Sequence, residues 1–166
     1  MTLVHQEEFQ PGPHPLDLLE RSVEDNGWSF ERSGRDELNL SVAGRWCDHH
    51  FSFTWREELQ SLHLSSAFDM RVNDSRRGDV AQLLMFVNAK LWIGHFDLWP
   101  EDGTLLFRHA MIFPDARASA SQCEALLNLA VEACEYYYPA FQFVLWGGKT
   151  AEEAVAAAIL ECQGQA

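Results

Sequence analysis

Thiol, carboxylate and imidazole side chains stand together at Cys47-Asp48-His49-His50, and all three are zinc ligands. The same stretch alternates like a strand, with Cys47, His49, Phe51, Phe53 and Trp55 on one face and Asp48, His50, Ser52 and Thr54 on the other. Adjacent strand side chains point to opposite faces, so Cys47 and His49 cannot chelate together with Asp48 and His50. The partner strand is Leu62, Leu64, Ser66 and Phe68; setting Phe53 near Leu62 and Phe51 near Leu64 keeps the apolar faces together. In that register His50 and His63 share a face one diagonal apart, roughly 7–8 Å, and a metal there needs a third ligand from elsewhere. No metal or cofactor is expected.

Nucleophilic chemistry is the second candidate. His95, Asp97 and His109 fall on one predicted hairpin, and with Ser52 or Cys47 they would supply a nucleophile, a base and an orienter. Nothing in their spacing supports that set. The chain has no GxSxG elbow, phosphate loop or HExxH, and Gly147-Gly148-Lys149 follows a helix, where it acts as a stop. We expect a non-enzyme. Trp99 is different: it shares a strand face with His95 and Asp97, opposite Phe96 and Leu98, so a large ring lies where the sheet meets solvent or a partner. Arg108 interrupts an apolar strand and needs a counter-charge, for which Asp97 across the hairpin is the candidate. Trp99, His95, Asp97 and Arg108 are therefore the expected partner-binding residues.

The elements that position these groups follow from periodicity. Residues 1–13 mix charges with Pro11, Gly12 and Pro13 and have no period, which predicts a flexible tail before a single domain over 14–166. Leu16, Leu19 and Val23 mark a first helix behind Pro15, stopped at Gly27. Trp28 and Phe30, then Leu38, Leu40 and Val42, alternate about Gly34 and form a hairpin that the two central strands extend to a four-strand meander. Val80, Leu83, Leu84, Val87 and Leu91 form a helical stripe opened by Asp74 or Ser75 and closed by Gly94. A hairpin follows over Pro100-Glu101-Asp102-Gly103, its return strand running from Leu105 to Phe113. Ser121-Gln122-Cys123-Glu124 and Thr150-Ala151-Glu152-Glu153 read as capping boxes, and Pro139 predicts a kink or restart between Tyr138 and Ala140. The fold class is α+β with a single mainly antiparallel sheet.

Composition narrows the role. Twelve Lys and Arg against 25 Asp and Glu give a net charge of −13, which repels a phosphate backbone and argues against nucleic acid. From residue 118 onward Lys149 is the sole cation against six Glu, so the C-terminal helices present an acidic face. The longest apolar run, Ala154 to Leu160, is far short of the roughly 20 residues of a membrane span, and residues 1–9 lack the basic flank of a secretory signal. We expect a cytoplasmic protein with no membrane association. The four cysteines, Cys47, Cys123, Cys134 and Cys162, have no regular spacing and read as reduced thiols.

The segments Leu91-Trp92-Ile93-Gly94-His95-Phe96-Asp97-Leu98-Trp99, Phe107-Arg108-His109-Ala110 and Tyr138 to Lys149, taken together, resemble the bacterial YbjN domain family over about residues 14–163. The resemblance implies a fold similar to the type III secretion chaperones, a role in sensory-transduction regulation, and a symmetric homodimer. It carries over no catalytic residues, because the family has none defined. The resulting expectation is a non-enzymatic interaction domain, chaperone-like or regulatory, that binds an unidentified protein or peptide over its sheet. The alternative is a binding protein for a small apolar ligand held in a pocket between sheet and helices.

Overall fold

A computed structural model describes residues 12–164. Of the tail expected over residues 1–13, all but Gly12 and Pro13 lies outside the described residues. The elements run α1 (Pro15–Asp25), β1 (Ser29–Ser33), β2 (Glu37–Ala43), β3 (Asp48–Arg56), β4 (Ser61–Arg71), α2 (Arg77–Asn88), β5 (His95–Leu98), β6 (Thr104–Ile112), α3 (Ala120–Leu145) and α4 (Ala151–Gln163). Six strands form one antiparallel sheet in the order β1-β2-β3-β4-β6-β5. This is the α+β, single-sheet architecture that the periodicity predicts.

Alternation decides which face is covered. Leu38, Leu40, Phe51, Phe53, Trp55, Leu62, Leu64, Phe68, Phe96 and Phe107 are buried under the helices, while their strand neighbours Asn39, His50, Ser52, Thr54, Ser65 and Arg108 point to the open face. The long helix α3 is the hub of the helical layer and packs against α1, α2 and α4. Pro15 opens α1 and Gly27, at φ +69°, follows its end, as expected. The Pro100–Gly103 turn also forms. Gly103 sits at φ +73°, and an added Cβ would run into the Val72 carbonyl, so this corner needs glycine twice over.

Four expectations need correction. The β3–β4 register pairs Phe53 with Leu64 and Trp55 with Leu62, two residues away from the expected pairing. An even shift preserves the faces, and its cause is a 3-10 turn at Glu57–Leu59 closed by Gln60 in the left-handed region (φ 47°). His50 consequently lies opposite Ala67 and His63 opposite Thr54, four residues or roughly 13 Å further along the strand, so the two imidazoles do not meet. The cap of α3 is Ser119, which exchanges hydrogen bonds with Gln122, and not Ser121. For α2, Asn73 caps a single 3-10 turn, and the helix ends at Asn88 instead of running to Gly94. Finally, of the kink or restart expected at Pro139 the restart does not occur, since α3 runs as one helix from Ala120 to Leu145 with the proline inside it. A proline interrupts one hydrogen bond, and here the buried residues on both sides of it, Tyr137, Tyr138, Ala140 and Phe141, hold the helix together by packing.

Candidate functional site: an aromatic cleft on the long helix

Pro139 has no N–H to offer the carbonyl four residues back, which belongs to Glu135. Another donor takes that carbonyl: the Trp46 indole Nε1–H, at 3.1 Å, from the loop between β2 and β3. The Glu135 carboxylate binds the same loop, accepting the Arg45 backbone N–H at 3.0 and 3.1 Å. It also meets His49 Nε2 at 2.5 Å. Gly44 completes the approach, because a Cβ there would collide with Glu135 Oε1 and the Cys47 carbonyl. One residue of α3 thus holds Gly44, Arg45, Trp46 and His49.

Cys47, His49 and Glu135 form a line of thiol, imidazole and carboxylate, the order a covalent catalyst uses. Its chemistry is poor. The Sγ to Nδ1 separation is 3.8 Å, and the imidazole is sealed among Phe51, Phe68 and Tyr138 with 2% of the residue exposed. Burial pushes the Cys47 thiol up, and Glu135, Asp48 and Asp69 add to that against the single opposing hydrogen bond from Tyr138. We read the line as a structural knot. The other nucleophile set considered from sequence is not brought together: Ser52 is on β3 and His95 and Asp97 are on β5, three strands away, while His109 pairs with Leu64 on the covered face. Among the described residues no group of three or more His, Cys, Asp or Glu is placed to hold a metal ion. Cys123 and Cys134 are free thiols, both buried and both pushed up by desolvation, Cys123 to about 11.

The knotted loop is one wall of a cleft. Across from it, after α2, stand Lys90, Leu91, Trp92 and Ile93, and α3 supplies the floor with Leu129, Ala133 and Tyr136. Its volume is about 580 Å³. Four of the large apolar side chains the protein leaves exposed gather here: Trp92, at 99% exposure, and Ile93, Leu129 and Tyr136. That concentration is what makes the cleft a candidate site, since isolated exposed apolar residues are ordinary.

The open face of the sheet carries the residues singled out from sequence. Asp97 Oδ2 and Arg108 Nη1 pair across the β5–β6 hairpin at 3.4 Å, as expected. His95 lies opposite Arg108, and Trp99 is 47% exposed on the same side. Trp99 borders a shallow hollow of about 240 Å³ with Ser65, Ala67, Asp102, Thr104 and Leu106. A second hollow of about 470 Å³, running over β1 to β4 past Asn39, Ser41, His50 and Ser52, shares Ser65 and Ala67 with the first. Small side chains thus leave a trough across the sheet that ends at Trp99.

Three half-buried histidines give the fold a pH dependence. Burial is the chief cause that holds His14, His63 and His109 below their ordinary value of 6.5; Arg108, His95 and Arg56 add to it at His63, and His95 at His109. The unfolded chain therefore binds these protons more readily than the folded one, and the associated stability is complete above pH 6.5 and lost as pH falls toward the folded values. The melting temperature is expected to drop between about pH 7 and pH 5.5, above the carboxylate range, and the drop is expected to shrink in His63→Gln. An unchanged profile in that variant would mean that His63 plays no part.

Comparison with known proteins follows the same lines as the fold. No protein of curated function matches the chain. Among solved structures it is similar to YbjN from E. coli, titled "a putative transcription regulator", with a TM-score of 0.50 and 16% sequence identity over 90% of this chain and 91% of that one. At that identity the likeness concerns the fold. Residues 15–143 match the family model described as "Putative bacterial sensory transduction regulator", a span that opens at the first residue of α1, takes in the whole sheet and the knot on Glu135, and closes within the last turn of α3. The chain, which shares that fold over 90% of its length and matches the family model over residues 15–143, belongs to the YbjN family.

Proposed function

We propose that this chain is a non-enzymatic regulatory domain, chaperone-like in the sense that it works by holding a protein or peptide partner against the open face of its sheet. The observation that carries this reading is Trp99, half-exposed at the end of the trough, with the Asp97–Arg108 pair and His95 beside it. A rigid aromatic next to a hydrogen-bonding charge pair is the composition of a binding anchor. A non-catalytic role is supported by the knot, whose thiol is raised and whose imidazole is sealed from solvent. No helix among the described residues is long and apolar enough to cross a membrane, and the thiols of Cys47, Cys123 and Cys134 are unpaired. Both fit the cytoplasm as its compartment. The test is cross-linking in the native host from a photoreactive side chain placed at Ala67, on the floor of the trough. Recovery of one stoichiometric protein, lost when Trp99 is truncated, supports the reading, and identical recovery from a probe on the helical layer defeats it.

A homodimer, with the same patch used twice, belongs to the proposal. Trp92 is the residue that supports it, since an almost fully exposed indole is unusual on a lone subunit. Light scattering is expected to give about twice the 18.9 kDa chain mass, and Trp92→Ala is expected to shift the protein toward one chain mass. A single-chain mass at all micromolar concentrations would end this part.

A second reading rests on the cleft of α3. Its size falls in the range of small-molecule sites, about 300–1,000 Å³, and its walls are mostly apolar, so it suits a small apolar ligand whose presence the domain reports. The sheet-face reading and the cleft use different surfaces, whereas the homodimer and a ligand in the cleft both use Trp92 and would compete for it.

A further inference from the structure

We propose that the outer edge of β1 takes up an extended, basic strand of the protein partner held over the sheet. The inference rests on that partner reading and names how the partner's chain engages the fold. Strand order leaves two edges, β5 on one side and β1 on the other. An uncovered edge is a template for another strand, so what each edge does with its backbone groups decides where one can add.

The β5 edge is closed. Asn88, at the end of α2, accepts the Phe96 N–H at 2.8 Å and donates to the Phe96 carbonyl at 2.9 Å. The Leu98 N–H is taken by the Asp97 side chain at 2.9 Å. Two side chains therefore hold groups that a further strand would need. The β1 edge is open. Among the described residues, nothing but β2 hydrogen-bonds the backbone of Ser29–Ser33. Arg32, the cation of this strand, binds Asp17, Glu20 and the carbonyls of Gly34 and Arg35, so it is committed inside the fold and does not screen the edge.

Charge selects the occupant. Residues 15–37, which make up α1, β1 and the turn into β2, hold Arg21, Arg32 and Arg35 against seven Asp and Glu, a net −4 that counts every Lys, Arg, Asp and Glu in the segment. A second copy would bring the same −4 to the same edge, and like charges brought together there oppose pairing. A basic strand is attracted instead. Alternation fixes its pattern: on the open face Glu31 lies beside a lysine or arginine, and on the covered face the half-buried Phe30 lies beside an apolar side chain. Ser29, Phe30 and Glu31 also line the larger hollow of the trough, so a chain lying over the sheet arrives at the edge it joins.

Three capped peptides are the probes: one of alternating lysine and valine, one with glutamate in place of lysine, and the lysine peptide N-methylated along its backbone so that it cannot donate to a strand. Binding is read from amide shifts in the nitrogen-labelled full chain. The lysine peptide is expected to move the amides of residues 29–33, to leave those of residues 95–98 in place, and to bind at least about fivefold tighter than the other two. Glu31→Lys, an exposed change that spares the fold, is expected to weaken it by at least about threefold. If residues 29–33 do not respond at about 1 mM peptide, the inference is overturned, and the cross-link at Ala67 still decides the open-face reading. Shifts confined to Ser65 and Ala67 overturn it as well and support the open-face reading alone. Equal binding by all three peptides, or shifts at residues 95–98 as large as those at 29–33, would mean that neither charge nor the Asn88 seal governs, and the inference falls.

Discussion

Glu135→Ala is expected to destabilise the protein by about 2–4 kcal/mol and to release the β2–β3 loop, a large effect for a residue whose side chain is partly exposed. Truncation removes the acceptor for the Arg45 N–H and leaves His49, buried among three aromatic rings, without its polar partner. A buried group stripped of its partner costs more than the pair contributed, because its desolvation is no longer offset. Glu135→Gln retains an oxygen at the same place and is expected to cost clearly less. The Trp46 indole bond goes to a main-chain carbonyl and survives both changes in principle, so its loss reports loop movement and not deletion of an atom. Urea unfolding gives the stability, and the amide shifts of residues 44–47 give the loop. A cost under about 1 kcal/mol, with those shifts unmoved, would mean that packing of Trp46 on α3 holds the loop and the carboxylate is incidental.

The knot shows where sequence reading stops. His49 was legible as a covered residue of β3, since its strand alternates over nine positions; its partner, 86 residues further on, was not, because a glutamate in the middle of a helix carries no mark of what it will meet. Pro139 did carry a mark, and the helix runs through it without the restart that the mark allowed. The missing donor is replaced from outside the helix, so a local defect becomes a long-range contact. Strand faces were readable for the same reason that the register was not: parity fixes the face, whereas the 3-10 turn at Glu57–Leu59 fixes the count. The cleft was hidden by the stripe Val80 to Leu91, which suggests a helix as far as Gly94. The helix stops at Asn88, whose side-chain amide bonds both backbone groups of Phe96, and this edge-strand imitation frees Leu91, Trp92 and Ile93 to form a wall.

The hairpin beyond that wall allows stability and recognition to be separated by two neighbouring rings. Phe96 is 1% exposed and packs against Phe68, Phe107, Tyr137 and Phe141 at centroid distances of 5.2–5.8 Å. Phe96→Ala is therefore expected to cost about 3–5 kcal/mol, by lost transfer energy and the cavity left behind, whether or not a partner is present. Trp99 lies three residues on, and its face of the strand meets the trough instead of the helices. Its backbone still bonds Thr104 and Gly103 across the turn, and truncation leaves those bonds in place. Trp99→Ala is expected to change stability by less than about 1 kcal/mol and to weaken partner capture by about 2 kcal/mol or more, the size of an anchor residue. The diagonal Asp97–Arg108 pair is more than a third exposed on both sides, so Asp97→Asn should alter capture through charge with little change in melting. The comparison is decided by Trp99. If its truncation unfolds the domain as Phe96→Ala does, the indole is roofing the hairpin, and the open face loses the one ring that marks it as a docking surface. If stability and capture both survive, the trough is plain solvated sheet and the cleft on α3 is left as the place where this domain meets other molecules.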